Sequence, residues 1–186
     1  NAPDVLTETT ADFGFALLMA TARRIAESEH YLRAGKWDCW RYDLFAGTEV
    51  HGSTLGIIGM GRIGQGIARR AAHGFGMKVV YHNRSRAEAY ETELDARRLD
   101  LEELLATADV VSLHAPYSDA THHLIDADAL AAMKPGAFLV NTSRGPVVDE
   151  AALVEALNTG QIAGAGLDVC ENEPEVHPGL LDLENA

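Results

Sequence analysis

The residues Gly59-Met60-Gly61-Arg62-Ile63-Gly64 carry the spacing G-x-G-x-x-G. Between a strand and a helix, that spacing suits the pyrophosphate of a dinucleotide. Gly59 permits a tight turn, Gly61 lets a pyrophosphate approach the backbone, and Gly64 lets the helix pack closely on the strand. The start of the helix adds free N–H donors for the phosphates, with Arg62 and Ile63 in its first turn. A lone match is weak, because a plain strand–helix turn has the same look. Here the apolar "TLGII" precedes it and a helical pattern follows, which is the context the motif needs.

At the end of the next apolar run, where an NAD site carries an acidic residue for the ribose hydroxyls, the sequence reads His82-Asn83-Arg84-Ser85-Arg86. A carboxylate there would repel a 2′-phosphate, whereas two guanidinium groups can pair with one by charge-assisted, bidentate bonds. The substitution therefore predicts a preference for NADPH over NADH, against the plainer reading of a solvated polar turn.

Two further segments carry charge beside apolar runs. In "NTSRGPVVDE" (141–150), Arg144 follows a strand and precedes the Gly145-Pro146 bend, and an Arg so placed can clamp a carboxylate. In "GLDVCENEPE" (166–175), Asp168 and Glu173 lie just past the last strand. A carboxylate there could raise the pKa of an imidazole and fix its tautomer. Glu171 and Glu175 are close enough in sequence to be mistaken for Glu173, and spacing does not choose among them. Of the histidines, His30, His51, His73 and His177 sit in polar or loop contexts, and His122-His123 lacks a set of metal partners. His114 ends a strand, where it could line the cofactor cleft, although a packed strand-end His is the plainer reading. None stands out as a catalytic acid, and no metal site is expected.

The elements that must position these residues follow from hydrophobic period. Residues 7–34 read as one long helix, capped by Thr7, with Glu8 at its positive end and Gly35 to close it. Phe13, Leu17 and Ala20 share a face, but the segment is apolar nearly all round, which predicts a sandwiched helix. Residues 36–52, "KWDCWRYDLFAGTEVHG", form an irregular aromatic arm, either a subunit contact or a loop packed on its own domain. From position 53, strands at 54–58, 77–81, 109–114, 137–141 and 162–169 alternate with helices at 63–72, 86–93, 101–106, 126–133 and 150–158. Asp100 with Glu103 resembles a capping box. Asp149 is placed to cap the helix at 150, with Val148 and Leu153 as a hydrophobic staple. Such alternation predicts an α/β Rossmann-like, doubly wound parallel sheet preceded by a long linker helix. Ligands then bind beyond the carboxyl ends of the strands, where the glycine turn, residues 82–86, Arg144, Asp168 and Glu173 all fall.

Bulk properties narrow the partners. A formal net charge of -13 and a pI of about 4.9 argue against nucleic acid, so an anionic ligand must be met by local Arg residues or helix starts. Two cysteines far apart, Cys39 and Cys170, predict a reducing, cytoplasmic setting. The apolar run 13–20 is too short to span a bilayer, and no signal peptide is recognisable. The chain opens Asn1-Ala2-Pro3 without an initiator Met and stops without a tail, which reads as a piece of a longer protein.

"LGIIGMGRIG", "NTSRGPVVDE" and "AGAGLDVCENEP", in this order and spacing, closely resemble the D-isomer-specific 2-hydroxyacid dehydrogenases. "NAPDVLTETTADFGFALLMA" resembles the helix leading into that family's nucleotide-binding domain. Within the family, "GFGMKVVYHNRSR" is most similar to the glyoxylate/hydroxypyruvate reductase and 2-ketogluconate reductase branch, which commonly uses NADPH. The resemblance implies that Arg62 and Ile63 touch the pyrophosphate and that Asn83, Arg84, Ser85 and Arg86 surround the ribose and its 2′-phosphate. It implies that Ala115 and Pro116 pack on the cofactor and that Thr142 and Asp168 meet the nicotinamide end. Arg144 would bind a small 2-keto or 2-hydroxy acid substrate, and Glu173 would partner a catalytic His lying in a segment after position 186. By the same resemblance, residues 1–52 are a linker helix and dimerisation arm, 53–186 the NAD(P)-binding domain, and the substrate-binding domain lies outside the chain. A homodimer is expected. The rival readings are an NAD(H)-sensing corepressor-like protein, or the same chemistry on phosphoglycerate or formate.

Overall fold

A computed structural model describes residues 6–186. The first five residues, which open both the segment 1–52 and the resemblance of its leading helix, lie outside the described residues. Two helices come first, α1 (Thr7–Ala22) and α2 (Ile25–Arg33). Strands and helices then alternate as β1 (Thr54–Ile58), α3 (Arg62–Arg69), β2 (Lys78–His82), α4 (Glu88–Leu94) and β3 (Arg97–Arg98). The second half is α5 (Leu101–Thr107), β4 (Val110–Leu113), α6 (Ala127–Ala132), β5 (Phe138–Asn141), α7 (Glu150–Asn158), β6 (Gly164–Leu167) and α8 (Pro178–Leu181).

The sheet has six strands in the order β3-β2-β1-β4-β5-β6, every pairing parallel. Period-two alternation sends neighbours to opposite faces, and both faces are buried. Ile58, Val80 and Leu139 join the core that holds Leu104, Leu130 and Leu153. Ile57, Val79 and Val140 join the core that holds Ala11, Leu18 and Ile67. Apolar runs buried on both sides are what parallel crossovers require. Strand order reverses between β1 and β4, so the crevice opens above those two strands.

The expected 7–34 helix is two helices. The chain breaks at Arg24, which takes a left-handed conformation (φ 54) ahead of α2. The Arg24 guanidinium holds the corner, donating to both oxygens of Glu27 at 2.6 Å and lying 5.1 Å from the Phe45 ring centre. Thr7 is the first residue of α1 rather than its cap; Leu6 holds the cap position and offers no side-chain bond. The sandwich expectation also fails in part, because Phe13 is 47% exposed. The buried stripe is Ala11, Gly14, Leu18 and Ala22, of which the small Ala11 and Gly14 let α1 cross α3 at short range. A Cβ on Gly66 of α3 would sit 2.8 Å from that of Ala11, and one on Gly14 the same distance from Ile67 Cδ1. Ion pairs from Arg70 to Glu8 and Asp12 fasten the crossing at its rim.

Smaller differences have local causes. The helix expected over 63–72 ends at Arg69 and widens into a π-turn, Arg70–Gly74. Asp126 and Asp149 cap their helices by accepting from Ala129 N and Ala152 N. Asp100 occupies its cap position without such a bond, so the expected capping box does not form. Val148 and Leu153 are both buried, as a staple requires. The two-residue β3 and the short α8 had no period long enough to announce them.

Candidate functional site

Register builds the site. Ile58 pairs with His82 on one side and Leu113 on the other, Leu113 pairs with Asn141, and Asn141 with Leu167. The strands therefore end level. The next residue of each, Asn83, Gly59, His114, Thr142 and Asp168, joins one row along the carboxyl edge of the sheet.

At the centre of the row, Gly59 holds φ 99, and a Cβ on it would collide with the Ala115 backbone N at 2.5 Å. That contact brings the Ala115-Pro116 turn against the glycine turn. A Cβ on Gly64 would meet the Gly59 carbonyl oxygen at 2.4 Å, so helix and turn touch backbone to backbone. A Cβ on Gly61 would meet nothing within 4 Å. Gly61 is also the cap residue of α3, with no side-chain bond to the helix's first N–H groups. An open face above a helix start, bounded by glycines that no other residue could replace, fits a dinucleotide pyrophosphate.

Beyond the β2 end lie Asn83, Arg84, Ser85 and Arg86. The Asn83 side chain spans its own turn, Nδ2 donating to the Ser85 carbonyl at 3.0 Å. The two arginines expected to act together are not equivalent. Arg86 is engaged by Glu91 through both its Nε (3.2 Å) and its Nη2. Glu91 is fixed in turn by the Tyr81 hydroxyl at 2.5 Å, and it is held below its ordinary pKa by those two bonds, that from Arg86 foremost. The Arg84 side chain makes no ion pair among the described residues. A third arginine, Arg98 on β3, was not picked out by the sequence. Its guanidinium donates to the Asn83 carbonyl at 3.1 and 2.9 Å and to the Arg84 carbonyl at 3.3 Å.

At the other end of the row, a cleft of about 400 Å³ is lined by Arg144, Pro146, Cys170, Glu171 and Glu173. Gly145 explains how these distant segments meet. A Cβ there would lie 1.8 Å from the Cys170 carbonyl oxygen, so the 170–173 turn rests directly on the backbone beside Arg144. The exposed Arg144 side chain is steadied by Nη1 donating to the Ser143 carbonyl at 2.6 Å. Behind it, Asn141, 1% exposed, ties the loop: Nδ2 donates to the Arg144 carbonyl, and Oδ1 accepts from Ser143 N and Oγ. A buried Asn ending an apolar strand is the signal that could have found this residue.

The acidic residues separate by partner. Glu171 accepts from His123 Nε2 at 2.6 Å and from Glu150 N at 3.2 Å, while Glu171 N donates to Glu150 Oε1 at 2.7 Å. It is fully occupied in fastening the turn to α7. Glu173 is exposed and uses one oxygen to accept from Cys170 N at 3.1 Å. Asp168 is exposed above the β6 end, its N–H bonded to the Asn141 carbonyl. Thr142 Oγ1 lies 3.5 Å from His114 Nδ1, and Ser112 Oγ lies 2.8 Å from His114 Nε2. Burial pushes His114 down to about 4. No histidine contacts Glu173 among the described residues, and no group of three or more His, Cys, Asp or Glu there could hold a metal ion. A cavity of about 540 Å³ between α1, α2 and β6 is lined by none of the candidate residues.

A sequence profile described as the D-isomer specific 2-hydroxyacid dehydrogenase NAD binding domain matches residues 15–186. A glyoxylate reductase of Korarchaeum cryptofilum (strain OPF8) is 55% identical over 188 residues, taking in 100% of this chain and 56% of its own length. A solved structure of a protein from Thermus thermophilus superposes with a TM-score of 0.93 at 51% identity, covering 100% of this chain and 58% of that one. A glyoxylate reductase from Paecilomyes thermophila gives 0.90 at 42% identity, covering 99% of this chain and 55% of that one. The chain thus spans a little over half the length of the relatives it matches.

Proposed function

We propose, from the premise that this chain belongs to the D-isomer-specific 2-hydroxyacid dehydrogenase family, that it is the cofactor-binding part of an NADPH-dependent reductase of a short 2-keto acid. Residues 53–186 would form the nucleotide-binding domain, and residues 1–52 the helix and arm that join it to a substrate domain and to a second subunit. The names of the relatives favour glyoxylate, with hydroxypyruvate and 2-ketogluconate as chemical neighbours. Two free cysteines suit a reducing cytoplasm, and no helix among the described residues is long and apolar enough to cross a membrane.

One observation carries the catalytic reading: Gly145 packs the Glu173 turn onto the Arg144 loop, at the same sheet edge as the glycine turn. Gly59, Gly61, Arg62, Ile63 and Gly64 would hold the pyrophosphate, Ala115 and Pro116 would pack on the cofactor, and Thr142 and Asp168 would meet the nicotinamide end. The bound nicotinamide supplies hydride chemistry. Arg144 receives the substrate carboxylate in a bidentate grip and stabilises negative charge developing on the carbonyl oxygen. Glu173, with one oxygen tied to Cys170 N, has the other available to hold an imidazolium that serves as general acid. That imidazole must come from outside the described residues, since none of theirs meets Glu173.

In the full-length protein, Arg144→Ala should lower kcat/KM for glyoxylate by a hundredfold or more, about 3 kcal/mol of transition-state stabilisation. Arg144→Lys should recover only part, because an ammonium cannot make the paired grip. An unchanged kcat/KM in Arg144→Ala would remove the residue from the mechanism, and a protein that binds cofactor yet turns over no 2-keto acid would favour the sensing alternative.

The NADPH preference rests on Asn83 in place of an acid and on the unpaired Arg84. Titration should show tighter binding of NADPH than NADH, with the difference reduced by Arg84→Ala. Equal affinities in the native protein would overturn it.

A further inference from the structure

Arg98 lies on the short edge strand β3 and reaches under the turn that follows β2. It donates to two successive backbone carbonyls, those of Asn83 (3.1 and 2.9 Å) and Arg84 (3.3 Å). All three contacts go to the main chain, so the side chain is not spent on a carboxylate. The peptide bonds here are trans, since the one cis bond among the described residues is Glu173-Pro174. In a trans peptide the N–H points opposite to the C=O of the same unit. Turning the carbonyls of 83 and 84 toward Arg98 therefore turns the N–H groups of Arg84 and Ser85 the other way. In sheet order, β1 and its glycine turn lie on that side of β2. Neither N–H has a partner among the described residues. Two adjacent N–H groups facing one way make a concavity for an anion.

Charge in the neighbourhood points the same way. Glu91 is occupied by Arg86 and by the Tyr81 hydroxyl. Arg86 is thus engaged, and Arg84 and Arg98 remain as the guanidinium groups of the turn that make no ion pair among the described residues.

We infer that Arg98 is a positioning residue for cofactor choice: by holding the Asn83 and Arg84 carbonyls it presents the Arg84 and Ser85 N–H groups, with the Arg84 side chain, to the 2′-phosphate of NADPH. The inference rests on the NADPH reading above and adds a residue that acts through the backbone of the turn. A guanidinium is needed because it bridges two carbonyls with a fixed fork of donors. An ammonium keeps the charge but cannot hold both in one geometry.

The test compares native, Arg98→Met, Arg98→Lys, Arg84→Ala and Arg97→Met forms of the full-length protein. Each is titrated with adenosine 2′,5′-bisphosphate and with 5′-AMP, after thermal melting confirms the fold. The expected result is a loss of about tenfold for the bisphosphate in Arg98→Met, at least fivefold greater than its loss for 5′-AMP. Arg98→Lys should stay close to Arg98→Met, and Arg97→Met, which alters the same strand, should not change the ratio. Bisphosphate affinity in Arg98→Lys equal to native would show that charge alone acts, and would overturn the positioning role. An unchanged ratio in Arg98→Met beside a reduced one in Arg84→Ala would overturn the inference and leave the NADPH reading standing. Native protein that does not distinguish the two nucleotides would remove both. Should Arg98→Met fail to fold, the Arg98→Lys ratio decides by itself.

Discussion

His114 sits where β4 meets the crevice, with Ser112 Oγ and Thr142 Oγ1 beside its two ring nitrogens. Burial lowers its pKa from the ordinary 6.5 to about 4, so the ring is neutral at working pH. A neutral imidazole that does not reach Glu173 cannot be the cationic acid, which agrees with its reading as a packed strand-end residue. Its cost appears in stability. Between pH 6.5 and about 4 the unfolded chain binds a proton that the folded chain does not, so stability falls as pH drops through that window. The loss should approach ~3 kcal/mol at the low end. Urea denaturation from pH 7 to pH 4 should show it, and His114→Gln should flatten the slope; an identical slope in the variant would mean other groups carry it. The acidic trio shows what sequence left open at this scale. Glu171, Glu173 and Glu175 are alike in composition, and only the bonds of Glu171 to His123 and Glu150 take it out of contention. The same holds for Arg86, legible as a charge but not as the partner of Glu91.

At the scale of elements, the alternation of apolar runs with helical patterns was readable because both faces of a parallel sheet are buried. Boundaries were less so. Caps depend on side-chain geometry that spacing alone does not fix, and Asp149 and Asp100 differ for that reason. Asp149→Ala should destabilise by about 1 kcal/mol, whereas Asp100→Ala should cost clearly less, since no cap bond is lost. Equal shifts in urea midpoint would contradict the distinction. The close crossing of α1 and α3 was not legible, because a segment apolar nearly all round does not single out its small residues. Phe13 suggests the buried face, but close approach needs Ala11, Gly14 and Gly66. Gly66→Leu should drive α1 from α3 and cost on the order of 1–3 kcal/mol, the range for overfilling a packed core. A urea midpoint equal to native would show that the helices can part without cost. The break at Arg24 had no glycine or proline to announce it. It depends on Glu27 and Phe45, and only the second of these is distant in sequence.

Over the whole molecule, the residues that the motifs single out fall along one edge of the sheet, because parallel pairing brings all the strand ends there. What the sequence could not weigh was the surface. On a chain of net charge -13, the arm carries an exposed aromatic cluster: Trp37, Trp40 and Tyr42 stand 56%, 77% and 85% exposed. Exposed aromatics this close together are enriched where another protein surface covers them, which favours the subunit-contact reading of the arm. With the dimer proposed for the full-length protein, the arm is the natural contact, and the two-fold axis would bring each arm onto the other subunit. Replacing Trp40 and Tyr42 with Asp buries charge in any such contact, and should convert the dimer to a monomer in sedimentation equilibrium at about 10 μM while the far-ultraviolet spectrum is kept. A native protein that sediments as a monomer would refute the dimer, and a variant that remains dimeric would place the contact elsewhere on the surface.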